Sequence, residues 1–374
     1  MLGRLENDPP RVTREVLGSL ELGRFLAASI VVLTHFLGEL PRYASGVPNP
    51  WLTAIRFPAP LAVQYFFVLS GFVMMTAHRK DMGHWHAVPL FWWRRACRIY
   101  PMYWLALGLV AIIIHSDLSL HRVFVLVSLR PSPAAEFVTP AWSLRYEMAF
   151  YIAFGLCLVP YIGWLLLAAW VCSVFWLWRP AAMASFLLCK PTILLGTLAS
   201  HNPAFFSPFE FYFFMGLAAG YFRLTSRALG WGFLAAGLAI LIGAGSQFQW
   251  GYIYGSPLVS AVTGCGLAGV ILGLSTLERG GQFHPGSYAR TLGAISYPLY
   301  ILHTAIMFLL WNMSLHQQWH FSGPYLYLFG AAYLGTIFAF AAAAAFLIDK
   351  PLQKFLRNIR MPAARSWPRF RTAP

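Results

Sequence analysis

The chain has 374 residues, of which 59% are hydrophobic and 10% are Asp, Glu, Lys or Arg, with a mean hydropathy of +0.61. Soluble domains carry about 25% charged residues, so this composition excludes an ordinary soluble fold and points to an integral membrane protein. The formal net charge of +15 would suggest a nucleic-acid ligand in a soluble chain; here its meaning depends on where the basic residues fall relative to the spans.

The apolar runs are continuous over about 16 to 24 residues and do not alternate with period two, so the expected spans are helices and the fold class is all-α, a polytopic helical membrane bundle. Residues 1–21 hold Arg4, Arg11 and Arg14 among acids and Pro9-Pro10. The first span, Leu22 to Gly38, is followed by no small-residue cleavage site and is expected to be retained. A Pro-containing loop leads to a second span, about Leu61 to Ala77, and a basic, aromatic segment leads to a third, about Tyr100 to Ile114. The fourth and fifth spans are expected at about Ala141 to Val159 and Tyr161 to Trp178. The apolar stretch Phe186 to Leu198 is too short and interrupted for a clear span and reads as a re-entrant or interfacial piece. The remaining spans are expected at about Pro208 to Phe222, Leu229 to Ala244, Pro257 to Leu274, Leu292 to Trp311 and Tyr325 to Ile348. The division is thus a cytoplasmic segment 1–21, a transmembrane domain 22–348 and a basic cytoplasmic tail 349–374 with no folded domain of its own.

About ten spans put both termini on one side. With the termini inside, inner segments hold 19 of the 27 Lys and Arg, outer loops hold 6, and Arg24 and Arg145 lie within spans. That bias is what the positive-inside rule requires, so both termini are expected in the cytoplasm, and the net charge needs no nucleic acid. The five cysteines have no Cys-x-x-Cys spacing and frame neither a disulfide scaffold nor a metal site.

Four stretches carry chemistry. Arg24 and His35 lie eleven positions apart in the first span, close to three whole turns, so both face one side about 16 Å apart along the axis. An intramembrane cation costs at least about 2.5 to 3.5 kcal/mol and normally faces a protein interior or a wet cavity, although either residue alone can snorkel to a surface. Arg95 and Arg98, three apart, can hold phosphate oxygens bidentately or simply meet lipid head groups. Within WSLRYE, Glu147 and Arg145 need partners in lipid, and Glu147 can pair with protonated His35 or orient its neutral ring. In AISYPLYILH, Ser296, Tyr297, Tyr300 and His303 make one span unusually polar and proline-bent, or serve as interhelical hydrogen bonds. His78, His84 and His86 with Asp81 tempt as a metal cluster, but no second ligand set is apparent and no metal is expected.

Together these stretches resemble the bacterial membrane-bound acyltransferase 3 family, whose members move acyl groups, often acetyl, from acyl-CoA to extracytoplasmic acceptors, mostly sugars. The resemblance rests on the R-x10-H of Arg24 and His35, FFVLSGFVM from Phe66, the R-x-x-R of Arg95 and Arg98 followed by IYPMYW, WSLRYE with Glu147, SYPLYILH from Ser296 to His303, and DKP at Asp349, where Glu is commoner. It covers about Leu20 to Leu356. It implies that Arg95, Arg98 and Arg24 hold coenzyme A at the inner side, that His35 is the general base on the acceptor hydroxyl with Glu147 supporting it, and that Tyr300 and His303 line the donor tunnel. Direct attack on the thioester and an acyl-histidine intermediate both stay open at this point. It further implies a bacterial inner-membrane location, acyl-CoA and a glycan or other hydroxyl acceptor as partners, and, with only a basic tail after the last span, no fused esterase-like domain. The competing reading is a transporter or flippase using Arg24, His35 and Glu147 as a relay.

Overall fold

The computed structural model describes residues 17–45, 55, 57–114, 119–129, 137–177, 203–248, 257–317 and 319–359. The expected interfacial stretch 186–198, residues 1–16 and the tail beyond 359 lie outside the described residues. Regular structure among the described residues is helical apart from one bridge between Ala44 and Phe321. In chain order the α-helices are α1 (Gly18–Glu39), α2 (Ala59–His78), α3 (Ala87–Ile114), α4 (Leu120–Val127), α5 (Ala141–Leu156), α6 (Gly163–Leu177), α7 (Glu210–Tyr221), α8 (Arg227–Phe248), α9 (Pro257–Arg279), α10 (Tyr288–Gln317), α11 (Pro324–Ala343) and α12 (Lys350–Asn358). Six of the described helical stretches are long and apolar enough to cross a membrane, and α6 is a shorter apolar helix.

Contacts fix how the helices run. Gly18 packs by Ala289 and His35 by His303, so α1 and α10 are parallel. Phe67 meets Phe213, and Gly220 sits further along against Phe72 and Met75, so α2 and α7 are parallel too. Gly71 and the Gly216/Gly220 pair line this contact, where a Cβ would fall on the opposing backbone; small residues let the two helices approach without a hydrophobic driving force between them. In contrast α8 and α9 are antiparallel, with Gly230 by Leu277 and Leu241 by Gly266. The end at which α1 starts is called the near end below, and the opposite one the far end.

One ion tethers the near end. The Glu278 carboxylate, in the last turn of α9, accepts from Gly18 N at 2.7 Å, Ser19 N at 2.9 Å and Ser19 Oγ at 2.5 Å. It thereby takes two of the N–H groups that the first turn of α1 leaves without helical partners, and places negative charge at the positive end of the helix dipole.

Two of the differences from the sequence expectation bear on the site. The helix that carries the expected third span begins at Ala87, well ahead of Tyr100, with Pro89 in its first turn, where a missing N–H costs nothing. The paired arginines are therefore inside a helix of 28 residues and not ahead of it. At the other end of the chain, the start of the basic tail is helical: α11 runs through a π-helical stretch, Ala344–Asp349, into α12, which Trp93 Nε1 ties back by donating to Leu356 O at 3.4 Å.

Replacing Glu278 with Ala leaves the start of α1 uncapped and is expected to cost about 1 to 3 kcal/mol. Thermal unfolding of the purified protein in detergent checks this: the melting temperature falls for Glu278→Ala and falls less for Ser19→Ala, which removes one of the three bonds.

Candidate functional site

Five helices enclose a cavity of about 110 Å³ in the near half of the bundle, lined by Arg24 from α1, Ser70 from α2, Arg95 and Arg98 from α3, Glu147 and Tyr151 from α5, and Tyr297 and Tyr300 from α10. Three arginines and a single carboxylate thus face one space, a formal balance of +2. Each charge has a partner. Arg24 pairs with Glu21, one turn back on α1, at 3.3 Å. The Arg98 guanidinium lies 6.0 Å from the Tyr297 ring centre, and Tyr297 Oη itself donates to Ile99 O at 2.6 Å, locking α10 to α3 at this level. Ser70 Oγ donates to Tyr151 Oη at 3.1 Å, and Tyr151 Oη donates to Glu147.

Arg95 is the most elaborately held of the three. One of its terminal nitrogens donates to His78 Nε2 at 3.2 Å, and its guanidinium lies 5.5 Å and 5.4 Å from the ring centres of Phe91 and Tyr151. An arginine has no acceptor, so His78 Nε2 must accept; His78 Nδ1–H then donates to Asp81 at 2.7 Å. His84 is engaged elsewhere, on Met82 O at 3.2 Å.

His35 opens instead on a second cavity, of about 400 Å³, toward the far end, which it shares with Glu39, Arg42, Thr139, Thr304 and Trp311. Between the two cavities stands His303, fully buried, on the same helix as Tyr300, whose hydroxyl shares a 2.7 Å bond with Ser143 Oγ. The ring planes of His35 and His303 are 14° apart with 5.1 Å between centres, and His35 Nδ1 is 2.9 Å from His303 Nε2.

The protons on this pair follow from the backbone. His303 Nδ1 faces the carbonyls of Tyr300 at 2.8 Å and Leu299 at 3.2 Å, and a carbonyl only accepts, so Nδ1 carries the proton. Neutral His303 then has a bare Nε2, which must accept from His35 Nδ1–H. His35 Nε2 is left with its lone pair.

The structure thus gathers Arg24, Arg95, Arg98, Glu147 and Tyr300 around one space, and His303 lies outside its lining, one turn along α10 from Tyr300. It does not bring Glu147 to His35, as the sequence suggested: the carboxylate is bound by Tyr151 and Ser70, and the ring partner of His35 is His303. The reason is register. The parallel packing of α1 on α10 sets His35 level with His303, while Glu147 lies nearer the level of Arg24 and the arginines of α3. Sequence reasoning also missed Tyr151, one turn after Glu147, and gave His78 and Asp81 no role once a metal was set aside; their i, i+3 spacing at a helix end, one loop before the arginines, was the available signal.

A helical bundle with six described helices apolar enough to cross a membrane, an arginine-lined near cavity and a far cavity that His35 lines defines a multi-pass membrane protein. The chain belongs to the acyltransferase 3 family, whose acyltransferase domain matches residues 17–347. Among curated proteins it is 32% identical over 200 residues to acyltransferase MdmB of Streptomyces mycarofaciens, a match covering 50% of this chain and 48% of that protein. It is 27% identical over 318 residues to the exopolysaccharide production protein ExoZ of Rhizobium meliloti (strain 1021), covering 80% of this chain and 92% of that one. No solved structure matches at a significant level.

The tautomers are open to direct measurement. With 15N-labelled histidine, and His35→Gln and His303→Gln for assignment, both rings are expected to be neutral with unprotonated Nε2. A protonated Nε2 on His303 would contradict the assignment.

Proposed function

We propose that the protein is a bacterial inner-membrane O-acyltransferase that moves an acyl group, acetyl in the simplest case, from cytoplasmic acyl-CoA to a hydroxyl of an extracytoplasmic glycan. The observation that carries this reading is the pairing of a cationic near cavity with a base whose lone pair belongs to a separate far cavity. The likeness to an exopolysaccharide production protein supports a glycan as acceptor.

On this reading the near end is cytoplasmic, in line with the 19 to 6 distribution of basic residues, and about ten spans form a catalytic domain over 22–348 between cytoplasmic segments 1–21 and 349–374. The alternating directions of the helices support that topology. Arg95 and Arg98, inside the near half of α3, take the phosphates of coenzyme A, with Arg24 deeper in; guanidinium forks suit phosphate oxygens. Glu147, tied to Tyr151, offsets part of this positive charge. The pantetheine arm runs along the polar face of α10, past Tyr300, toward His303 and His35.

The acceptor occupies the far cavity. His35 Nε2 takes the proton of its hydroxyl as the oxygen bonds to the thioester carbonyl carbon; the C–S bond breaks, and the coenzyme A sulfur takes the proton back from His35. His303 holds the base in the tautomer that leaves Nε2 open, the role otherwise foreseen for Glu147. Thr304 Oγ1, shielded in the wall of the far cavity and without a hydrogen-bond partner among the described residues, is placed to bond a ligand oxygen. A relay-type transporter gains little support, since Glu147 and His35 belong to different networks.

Donor binding and transfer should therefore separate. In detergent with radiolabelled acetyl-CoA and a panel of envelope glycans, Arg95→Ala loses donor binding, whereas His35→Ala keeps it and loses transfer by at least about 100-fold, the lower range for a general base. His303→Ala is expected to fall between wild type and His35→Ala. A wild-type protein that neither binds nor consumes acyl-CoA would refute the reading.

A further inference from the structure

The structure assigns to His78 and Asp81 a positioning role: a hydrogen-bonded chain from Asp81 through His78 to Arg95 presets the guanidinium that takes a donor phosphate. The inference rests on the donor site proposed above and concerns residues outside it. His78 is the last residue of α2 and only 2% exposed, while Asp81 closes the short 3-10 turn Arg79–Asp81 that follows. An imidazole so buried needs a partner on each ring nitrogen, and here the two partners are the carboxylate of Asp81 and the guanidinium of Arg95, a group that faces the near cavity. The imidazole also packs edge-on against Phe91, with 4.9 Å between ring centres.

The geometry accounts for both bonds. Asp81 takes Nδ1–H at 2.7 Å and so fixes which ring nitrogen is bare; the bare Nε2 then takes Arg95 at 3.2 Å. With Phe91 and Tyr151 against the guanidinium, Arg95 is restrained in both its tilt and its reach, while it still lines the near cavity. A long, rotamer-rich side chain restrained before binding loses less freedom when a ligand arrives, so the gain appears as donor affinity. The same arrangement governs metal-bound histidines, where a carboxylate behind the ring fixes its orientation; here a guanidinium stands where a metal would. Protonating or removing His78 takes away the acceptor that Arg95 uses.

The test compares acetyl-CoA with acetyl-pantetheine, which has the thioester but not the nucleotide or its phosphates. In the full-length protein in detergent, His78→Ala should raise the KM for acetyl-CoA about tenfold, as expected for losing one charged hydrogen bond, with kcat within about twofold. KM for acetyl-pantetheine should not change. His78→Gln, whose amide oxygen can accept from Arg95, should restore most of the acetyl-CoA affinity, and Asp81→Ala should lose part of it. In Arg95→Ala the further change His78→Ala should have no added effect, because the two act as one unit.

A merely structural role would lower use of both donors and would not be rescued by Gln, and that result overturns the inference. So does an unchanged acetyl-CoA KM in His78→Ala when Arg95→Ala raises it. If Arg95→Ala itself leaves acetyl-CoA binding intact, the donor site proposed above fails first, and the inference with it.

Discussion

A hydrocarbon core accepts a guanidinium only where protein groups or a wet cavity surround it, and the structure is arranged around three such groups. Arg24, Arg95 and Arg98 come from two helices, and each is answered locally: by Glu21, by His78, and by the face of Tyr297. Answering them requires α1, α2, α3, α5 and α10 to converge at one level. The apolar helices α8 and α9, the glycine-lined contact of α2 with α7, and the Glu278 tether keep that convergence fixed.

Two cavities of different character result. The near one holds three arginines and a carboxylate; the far one holds Glu39 and Arg42, paired at 2.8 Å, beside His35. On the proposed reading, charge therefore sorts ligands along the bundle axis, with anionic ones favoured at one level and neutral ones tolerated at the other. Hydrogen bonds run from His35 Nδ1–H to His303 Nε2 and from His303 Nδ1–H to Tyr300 O, which leaves one basic nitrogen on the far side. On the proposed reading, this asymmetry lets a donor stay on one side while its acyl group is used on the other.

Much of this was legible in the sequence because it is local. Helical spacing put Arg95 with Arg98 and Arg24 on the same face as His35, and hydropathy located the six long apolar helices among the described residues. The family resemblance ordered those stretches. What was not legible depends on register between helices far apart in the chain. Nothing near His35 announces that α10 packs parallel to α1 with His303 level with it, so Glu147 was the nearest chemically sensible partner. The start of α3 was misplaced because a run as polar as WWRRACR is unlike a span, yet its helix is stabilised by packing of Trp92 on Tyr151 O and of Arg95 on His78. His78 and Asp81 were given no role for the same reason: their partner arrives from the next helix.

The central claim is that donor and base act from opposite sides of one bilayer. It is tested most directly in sealed proteoliposomes of known orientation, with radiolabelled acetyl-CoA supplied only at the face where α1 starts and an envelope glycan trapped on the other side. The account predicts label on the trapped glycan while free coenzyme A accumulates on the donor side. Label that appears only after the vesicles are opened, or only when donor and glycan share one side, would contradict it.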